Sequence, residues 1–234
     1  MELEGKVALV TGASGGIGAS VTRKLHEAGA SVGLLSRRGS DLGLERALGV
    51  ACDVRDRQAV ADAVDAVVER FGRLDIVVAN AGVGAYGPFL DLDRDQLETI
   101  IDTNLKGTLY TAAATLQHLI DSGEGDFIAL ASVAGLRGFP GEAAYNASKF
   151  GQVGFVRSLD HELREHGVRA TSICPGGVKT GFAIGSGRNE GDPALEGMLT
   201  ADEVADVVLF AVTRPRRMRI LTTSFRPMIE DSWG

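Results

Sequence analysis

The sequence predicts an α/β fold, a doubly wound and mostly parallel sheet of seven strands with helices on both faces. Three observations carry that expectation. Short β-branched runs recur along the 234 residues, most intervals between them hold apolar residues at helical spacing, and a glycine-rich loop follows the first run. Strand, helix, strand in repetition builds a parallel sheet covered on both sides, with ligands at the carboxyl ends of its strands.

The runs predict strands over residues 7–11, 31–36, 50–52, 76–79, 127–132 and 169–174, with a last one near 219–224. Helical spacing is clearest over 59–71 and 97–119. No repeat, low-complexity tract or Pro/Ser-rich linker interrupts the chain, so residues 1–234 read as one domain with a substrate loop near 181–199. The 24 Lys and Arg against 31 Asp and Glu leave a formal charge of −7, which argues against an electrostatic grip on nucleic acid or an anionic membrane. Cys52 and Cys174 stand far apart with no CxxC pair or Cys/His cluster, so neither a disulfide framework nor a zinc site is expected. The N-terminal MELEGKVALV lacks the form of a signal segment, and the late run VADVVLFAV is short and interrupted by Asp206. The expected location is the cytoplasm, with no metal.

The loop TGASGGIGAS, residues 11–20, is a candidate phosphate site. No Lys follows its glycines, which disfavours a nucleotide hydrolase; GxGxxG fails too, because Gly16 and Gly18 are followed by Val21. The pattern is TGxxxGxG. Gly12 permits a tight turn, and Gly16 and Gly18 let backbone amides at the helix start approach a pyrophosphate, with Ser14 and Ile17 in the same loop.

Further residues join the loop in order: Asn80-Ala81-Gly82, Asn104, Ser132, Tyr145 with Lys149, and Pro175-Gly176. With these the chain resembles the short-chain dehydrogenase/reductase family over nearly its whole length. The chemistry of the set also follows from the residues. Tyr145 and Lys149, four apart on a helix, lie roughly 40° from eclipsed and share a face. A nearby cation lowers the phenol below its ordinary pKa of about 10, which suits Tyr145 to protonate a carbonyl oxygen or, in reverse, to deprotonate an alcohol. Ser132, at the end of the fifth strand, is placed to donate to the same oxygen.

The resemblance implies a Rossmann fold and further roles. Lys149 holds the nicotinamide ribose, and Asn104 fixes a water that relays protons from Lys149. Asn80 steadies the central strands, while Asp53, followed by Val54, contacts the adenine. Val178 and Thr180 after Pro175-Gly176 match the family pattern, with Thr180 meeting the nicotinamide carboxamide. At the end of the second strand, where an acid would accept from a ribose hydroxyl, the chain has Ser36, Arg37 and Arg38. A guanidinium binds a 2′-phosphate with two charge-assisted hydrogen bonds, so the expected cofactor is NADP(H) rather than NAD(H), with Arg37 the main contact. The segment 39–50 is short for the family, which thins the adenine-side wall.

Other features have plainer readings. The histidines of HELREH, 161–166, are five apart and cannot share a metal as HExxH does. RPRRMR, 214–219, reads as a solvated connection, and Asp91, Asp93 and Asp95 as N-capping and first-turn acids. The substrate pocket is expected from 84–89, 136–139 and the loop after Thr180, contributing Tyr86, Leu136, Phe139 and Phe182 with Arg137 at hand; loop 181–193 closes over it. Acyl thioesters, hydroxy acids, small ketones and aldehydes all remain open. Two functions stand: a carbonyl reductase or alcohol dehydrogenase, and a non-catalytic NADP-binding module that senses redox state. The intact Asn104, Ser132, Tyr145 and Lys149 favour the enzyme. The resemblance also implies a homodimer or homotetramer formed through the helices of Asn104 and Tyr145. The C-terminal FRPMIEDSWG is a further candidate for an interface.

Overall fold

A computed structural model describes residues 2–231. Strands β1 (Val7–Thr11), β2 (Ser31–Ser36), β3 (Ala47–Ala51), β4 (Ile76–Ala79), β5 (Asp126–Leu130), β6 (Arg169–Pro175) and β7 (Thr222–Phe225) form one sheet. Their order is β3-β2-β1-β4-β5-β6-β7, and every neighbouring pair is parallel.

All five residues of β1 are buried because both faces of the sheet are covered. Alternate side chains serve different cores. Val7 and Leu9 pack with Val60 and Val64 of α2 (Arg57–Phe71), Leu119 of α4 (Gly107–Asp121) and Val156 of α5 (Ala143–Leu163). Ala8 and Val10 pack with Leu25 of α1 (Gly16–Glu27) and with Val204 and Val208 of α6 (Ala201–Val212).

Local chemistry sets the helix limits. Asp56 caps α2 by accepting from the Gln58 and Ala59 amides, and Gly72 ends it at φ +80°. Asp93 and Gln96 form a capping box on α3 (Arg94–Ile100), with Asp95 in the first turn, as predicted, whereas Asp91 belongs to the separate short turn Phe89–Asp91. The predicted 97–119 helix is a longer helical run in three parts: α3, a π-helical turn over Ile101–Lys106, and α4. Between β2 and β3 there is no helix, in keeping with the short 39–50 segment.

Four strands differ from expectation in their bounds, β6 only by ending one residue later at Pro175. β3 begins at Ala47 because Ala47, Leu48 and Gly49 pair with Val32, Gly33 and Leu34, though none has a strand-favouring side chain. β5 ends at Leu130; the Ala131 amide turns to the Ile173 and Ala129 carbonyls, leaving Ser132 beyond the strand. β7 is shifted to Thr222–Phe225.

RPRRMR is a solvated connection only in part: Pro215, Arg217, Met218 and Arg219 are exposed, but two of its arginines are tied to buried acids. Arg216 donates to the buried Asp126 carboxylate at 2.8 Å and to the Gly125 and Gly167 carbonyls, while Arg219 reaches Asp160 at 2.6 Å. Arg169 from β6 makes a two-pronged contact with the same Asp126 at 2.7 and 3.0 Å. Burial pushes the Asp126 carboxyl up against the pull of both arginines. Its removal leaves the buried Arg169 uncompensated, so Asp126→Ala is expected to cost about 3–5 kcal/mol, read as a lowered urea midpoint at unchanged slope.

Candidate active site

The carboxyl ends of β1, β4, β5 and β6 open into a cavity of about 990 Å³. Its lining includes Gly12, Gly16, Ile17, Asn80, Ala81, Gly82, Ser132, Tyr145, Lys149, Pro175, Gly176, Val178 and Thr180. The structure thus brings together residues spread over more than two thirds of the chain. Ser14, Gly18, Ser36, Arg37, Arg38, Asp53, Val54 and Asn104 are not among the lining residues.

The glycine loop is held from below. Asn80 Nδ2 donates to the Thr11 and Gly12 carbonyls at 2.9 and 3.3 Å, and Thr11 Oγ1 accepts from the Asn80 and Ala81 amides, both at 3.0 Å. Gly12 has φ +66°, and a Cβ there would stand 2.8 Å from Ala81 Cα. Gly18 departs from expectation: it packs against the Gly12 carbonyl and Asn80 instead of facing the cavity, so its role is close packing of helix on loop. Gly15, which the sequence did not single out, lines the cavity. It is the N-cap of α1, with no side-chain cap and no first-turn acid, so the amides there are available to an anion.

Ser132 is the N-cap of the short turn Val133–Gly135, and its Oγ accepts from the Ala134 amide at 3.1 Å. Tyr145 and Lys149 lie one turn apart on α5, with the ammonium 5.5 Å from the phenol ring centre. Burial governs both groups. It pushes the Lys149 ammonium down to about 7 and holds the Tyr145 phenol well above its ordinary value; the Tyr86 ring adds to the rise and Ser132 opposes it. The expected lowering of Tyr145 by Lys149 is not found: burial dominates the phenol, and the ammonium that was to lower it is itself driven toward neutrality by burial.

The lysine is fixed by groups the motifs did not contain. Lys149 Nζ donates to the Leu130 carbonyl at 2.9 Å and to Gln152 Oε1 at 2.8 Å. Gln152 Nε2 donates to Thr108 Oγ1 at 2.6 Å, and that hydroxyl donates to the Asn104 carbonyl at 2.7 Å. Asn104 sits in the π turn, a geometry common at functional sites. Its side chain spans the Val83 amide and carbonyl at 2.8 and 2.9 Å and reaches Ser148 Oγ at 3.0 Å. Asn146 staples the pocket wall, donating to the Ala134 and Arg137 carbonyls and accepting from the Phe139 amide. Side chains at Lys149+3 and Tyr145+1 leave no pattern in a single sequence.

The adenine-side expectations meet a mixed geometry. Ser36 Oγ accepts from the Gly39 amide, and Arg38 reaches the Ser14 carbonyl at 3.4 Å, tying the arginine to the glycine loop. Arg37 is exposed. Asp53 is held two-pronged by Arg55, which with Arg37 lowers its carboxyl.

The outer wall contains Tyr86, Arg137, Phe139, Glu142, Phe182 and Arg188. The C-terminal segment, a candidate for an interface, also contributes to this wall: Arg226, Ile229, Glu230 and Asp231 line it. Glu230 accepts from the Gly177 amide at 2.9 Å and pairs with Arg226 at 2.8 Å. Residues 232–234 of that segment lie outside the described residues. Among the described residues no group of His, Cys, Asp or Glu could hold a metal, HELREH included, and no helix is long and apolar enough to cross a membrane.

A family model described as short chain dehydrogenase matches residues 6–191. An uncharacterized oxidoreductase of Staphylococcus epidermidis is 37% identical over 229 residues, 95% of this chain and 97% of its own. An alcohol dehydrogenase from the archaeon Thermococcus sibiricus, solved with 5-hydroxy-NADP, superposes with a TM-score of 0.87 at 29% identity, over 98% of this chain and 99% of its own. A 3-ketoacyl-(acyl-carrier-protein) reductase from Brucella melitensis, solved with NADH, gives 0.87 at 26% identity, over 96% and 98%.

Gln152 is fully buried and satisfied at both ends of its amide. Gln152→Leu leaves Lys149 short of an acceptor and Thr108 without its donor. The expected loss is about 1–3 kcal/mol of stability, measured by urea unfolding.

Proposed function

The chain belongs to the short-chain dehydrogenase/reductase family, and from that premise we propose that it is an NADP(H)-dependent oxidoreductase acting on a carbonyl or secondary alcohol, with Tyr145 as general acid and base. The observation that carries the reading is the convergence of Ser132, Tyr145 and Lys149 on the cavity that begins at the glycine loop.

The lining suits a dinucleotide. The uncapped start of α1 offers amides to a pyrophosphate, Thr180 lies close beside Gly16, and Lys149 stands where a ribose hydroxyl could accept from it. When bound, the cofactor supplies or takes the hydride. Ser132 donates to the substrate oxygen and polarises the carbonyl. Tyr145 gives its proton to that oxygen, and its high intrinsic pKa suits it to wait as the neutral acid. A ribose hydroxyl accepting from Nζ would favour the ammonium, and a charged Lys149 would then ease loss of the phenol proton. Asn104, whose carbonyl is joined to Lys149 through Thr108 and Gln152, would by the family resemblance hold a water that returns protons to Lys149.

Arg37 and Arg38 support NADP(H) over NAD(H), since they offer cations where a 2′-phosphate would lie and the second strand ends without an acid. Free, buried Cys52 and Cys174 suit a reducing cytoplasm. Phe150, 47% exposed on the outer face of α5, suits a homo-oligomer assembled through that helix.

The test is NADPH oxidation with a panel of ketones, aldehydes and 3-oxoacyl compounds. Tyr145→Phe is expected to lower kcat/KM by about 10²–10⁴-fold while NADPH still binds; a wild type that binds NADPH but turns over no carbonyl or alcohol would support a redox-sensing module instead. Arg37→Ala is expected to lower the NADPH-to-NADH ratio of kcat/KM by about 10- to 100-fold, and an unchanged ratio would remove Arg37 from cofactor choice.

A further inference from the structure

We infer that the substrate carries a carboxylate and that Arg188 receives it, a statement that rests on the reductase reading and narrows it to short oxo acids and hydroxy acids. The observation is a guanidinium held at the rim of the aromatic cage around Tyr145 with no carboxylate in ion-pair contact among the described residues.

The loop after Thr180 is not loosely draped. The Tyr86 amide donates to the Ser186 carbonyl at 2.9 Å, and the Phe182 ring presses on Gly84 so closely that a Cβ there would stand 2.7 Å from it. Gly187, at φ +102°, packs against Tyr86. These contacts fix two aromatic walls beside the reacting phenol. Tyr86 meets Tyr145 edge-on with centroids 6.1 Å apart, and Phe182 lies 5.8 Å away at a tilt. Arg188 follows directly in the chain, and its guanidinium carbon stands 5.5 Å from the Tyr86 ring centre.

Charges along this wall are unevenly paired. Arg226 is neutralised by Glu230. Arg188 has no carboxylate within the 4.0 Å of an ion pair among the described residues, and it donates only a long bond, 3.4 Å, to the Val178 carbonyl. Glu142 also lies within its field but forms no ion pair with it among the described residues, and burial pushes that carboxyl up. The field of Arg188 reaches Tyr86, Glu142 and Tyr145 alike, opposing the rise at each. A planar cation stacked on a ring, with hydrogen-bond donors to spare, matches a carboxylate two-pronged. Its place one ring beyond Tyr145 sets the spacing: carbonyl at Ser132 and Tyr145, a short carbon chain past Tyr86, carboxylate at Arg188.

The experiment compares acetoacetate and 4-oxopentanoate with their methyl esters, using NADPH and the wild type, Arg188→Ala and Arg188→Lys. The readout is the acid-to-ester ratio of kcat/KM. It is expected to exceed unity by about tenfold or more in the wild type, to fall by about tenfold or more in Arg188→Ala through KM, and to recover in part in Arg188→Lys. Acids and esters used equally by the wild type, or both lowered alike by Arg188→Ala, would overturn the inference. Saturation-transfer NMR of the two acids on NADP-loaded protein keeps the two readings apart. Acid binding lost in Arg188→Ala without turnover would retain the anion site and reject the reductase, whereas turnover of ketones without acid binding would do the reverse.

Discussion

The burial of one ammonium is the constraint around which the site is organised. Lys149 is 3% exposed, and a buried charge survives only where donors and acceptors replace its water. Those replacements come from three elements. Leu130 offers the last carbonyl of β5, Gln152 reaches from the next turn of α5, and Thr108 at the start of α4 continues the chain to Asn104. Moving β5 out of register would strip the lysine of its carbonyl partner, and moving α4 away from α5 would leave Gln152 without its anchor at Thr108. The same burial depresses the ammonium to about 7, so its charge sits at a balance that an anion beside it can tip.

The π turn follows from this geometry. An Asn in an ordinary helix would spend its side chain on solvent or on its own backbone. Here the extra residue in the turn re-aims Asn104 so that its amide closes on both polar groups of Val83 and on Ser148. The loop after β4 is thereby tied to the helix that carries Tyr145. Ser148, in turn, donates to the Tyr145 carbonyl at 2.7 Å, so one polar spine runs beneath the residues that face the cavity.

What could be read beforehand was whatever leaves a pattern in spacing. Alternating buried runs gave away a sheet covered on two faces, Gly12 announced a turn that only glycine makes comfortably, and Tyr145 with Lys149 declared a shared helical face. Contacts between distant segments leave no such trace. Gln152 looks like any polar helix residue until Thr108 is brought beside it, and Arg216 looks solvated until Asp126 is found buried beneath it. Ala47–Ala51 lacked β-branching at most positions and was claimed for the sheet by its pairing with β2. The lowering expected at Tyr145 failed for a related reason, since spacing reports who is near but not how much water has been removed.

The two halves of the cavity differ in what fixes them. Strand ends and the first turns of buried helices place Ser132, Tyr145 and Lys149, and their positions are set by the whole core. Tyr86, Phe182, Arg188 and Glu230 come from loops and from the C-terminal segment, which hold one another by a few backbone bonds and ring contacts. A change at the first set disturbs folding and chemistry together, whereas a change at the second alters only what fits beside an unaltered reacting centre. Reaction class therefore belongs to the fold and substrate choice to side chains that the fold tolerates in many forms. In this chain the loop side chains are two rings and a guanidinium with no ion pair among the described residues, and the identity of the substrate is best sought in what such a wall can hold.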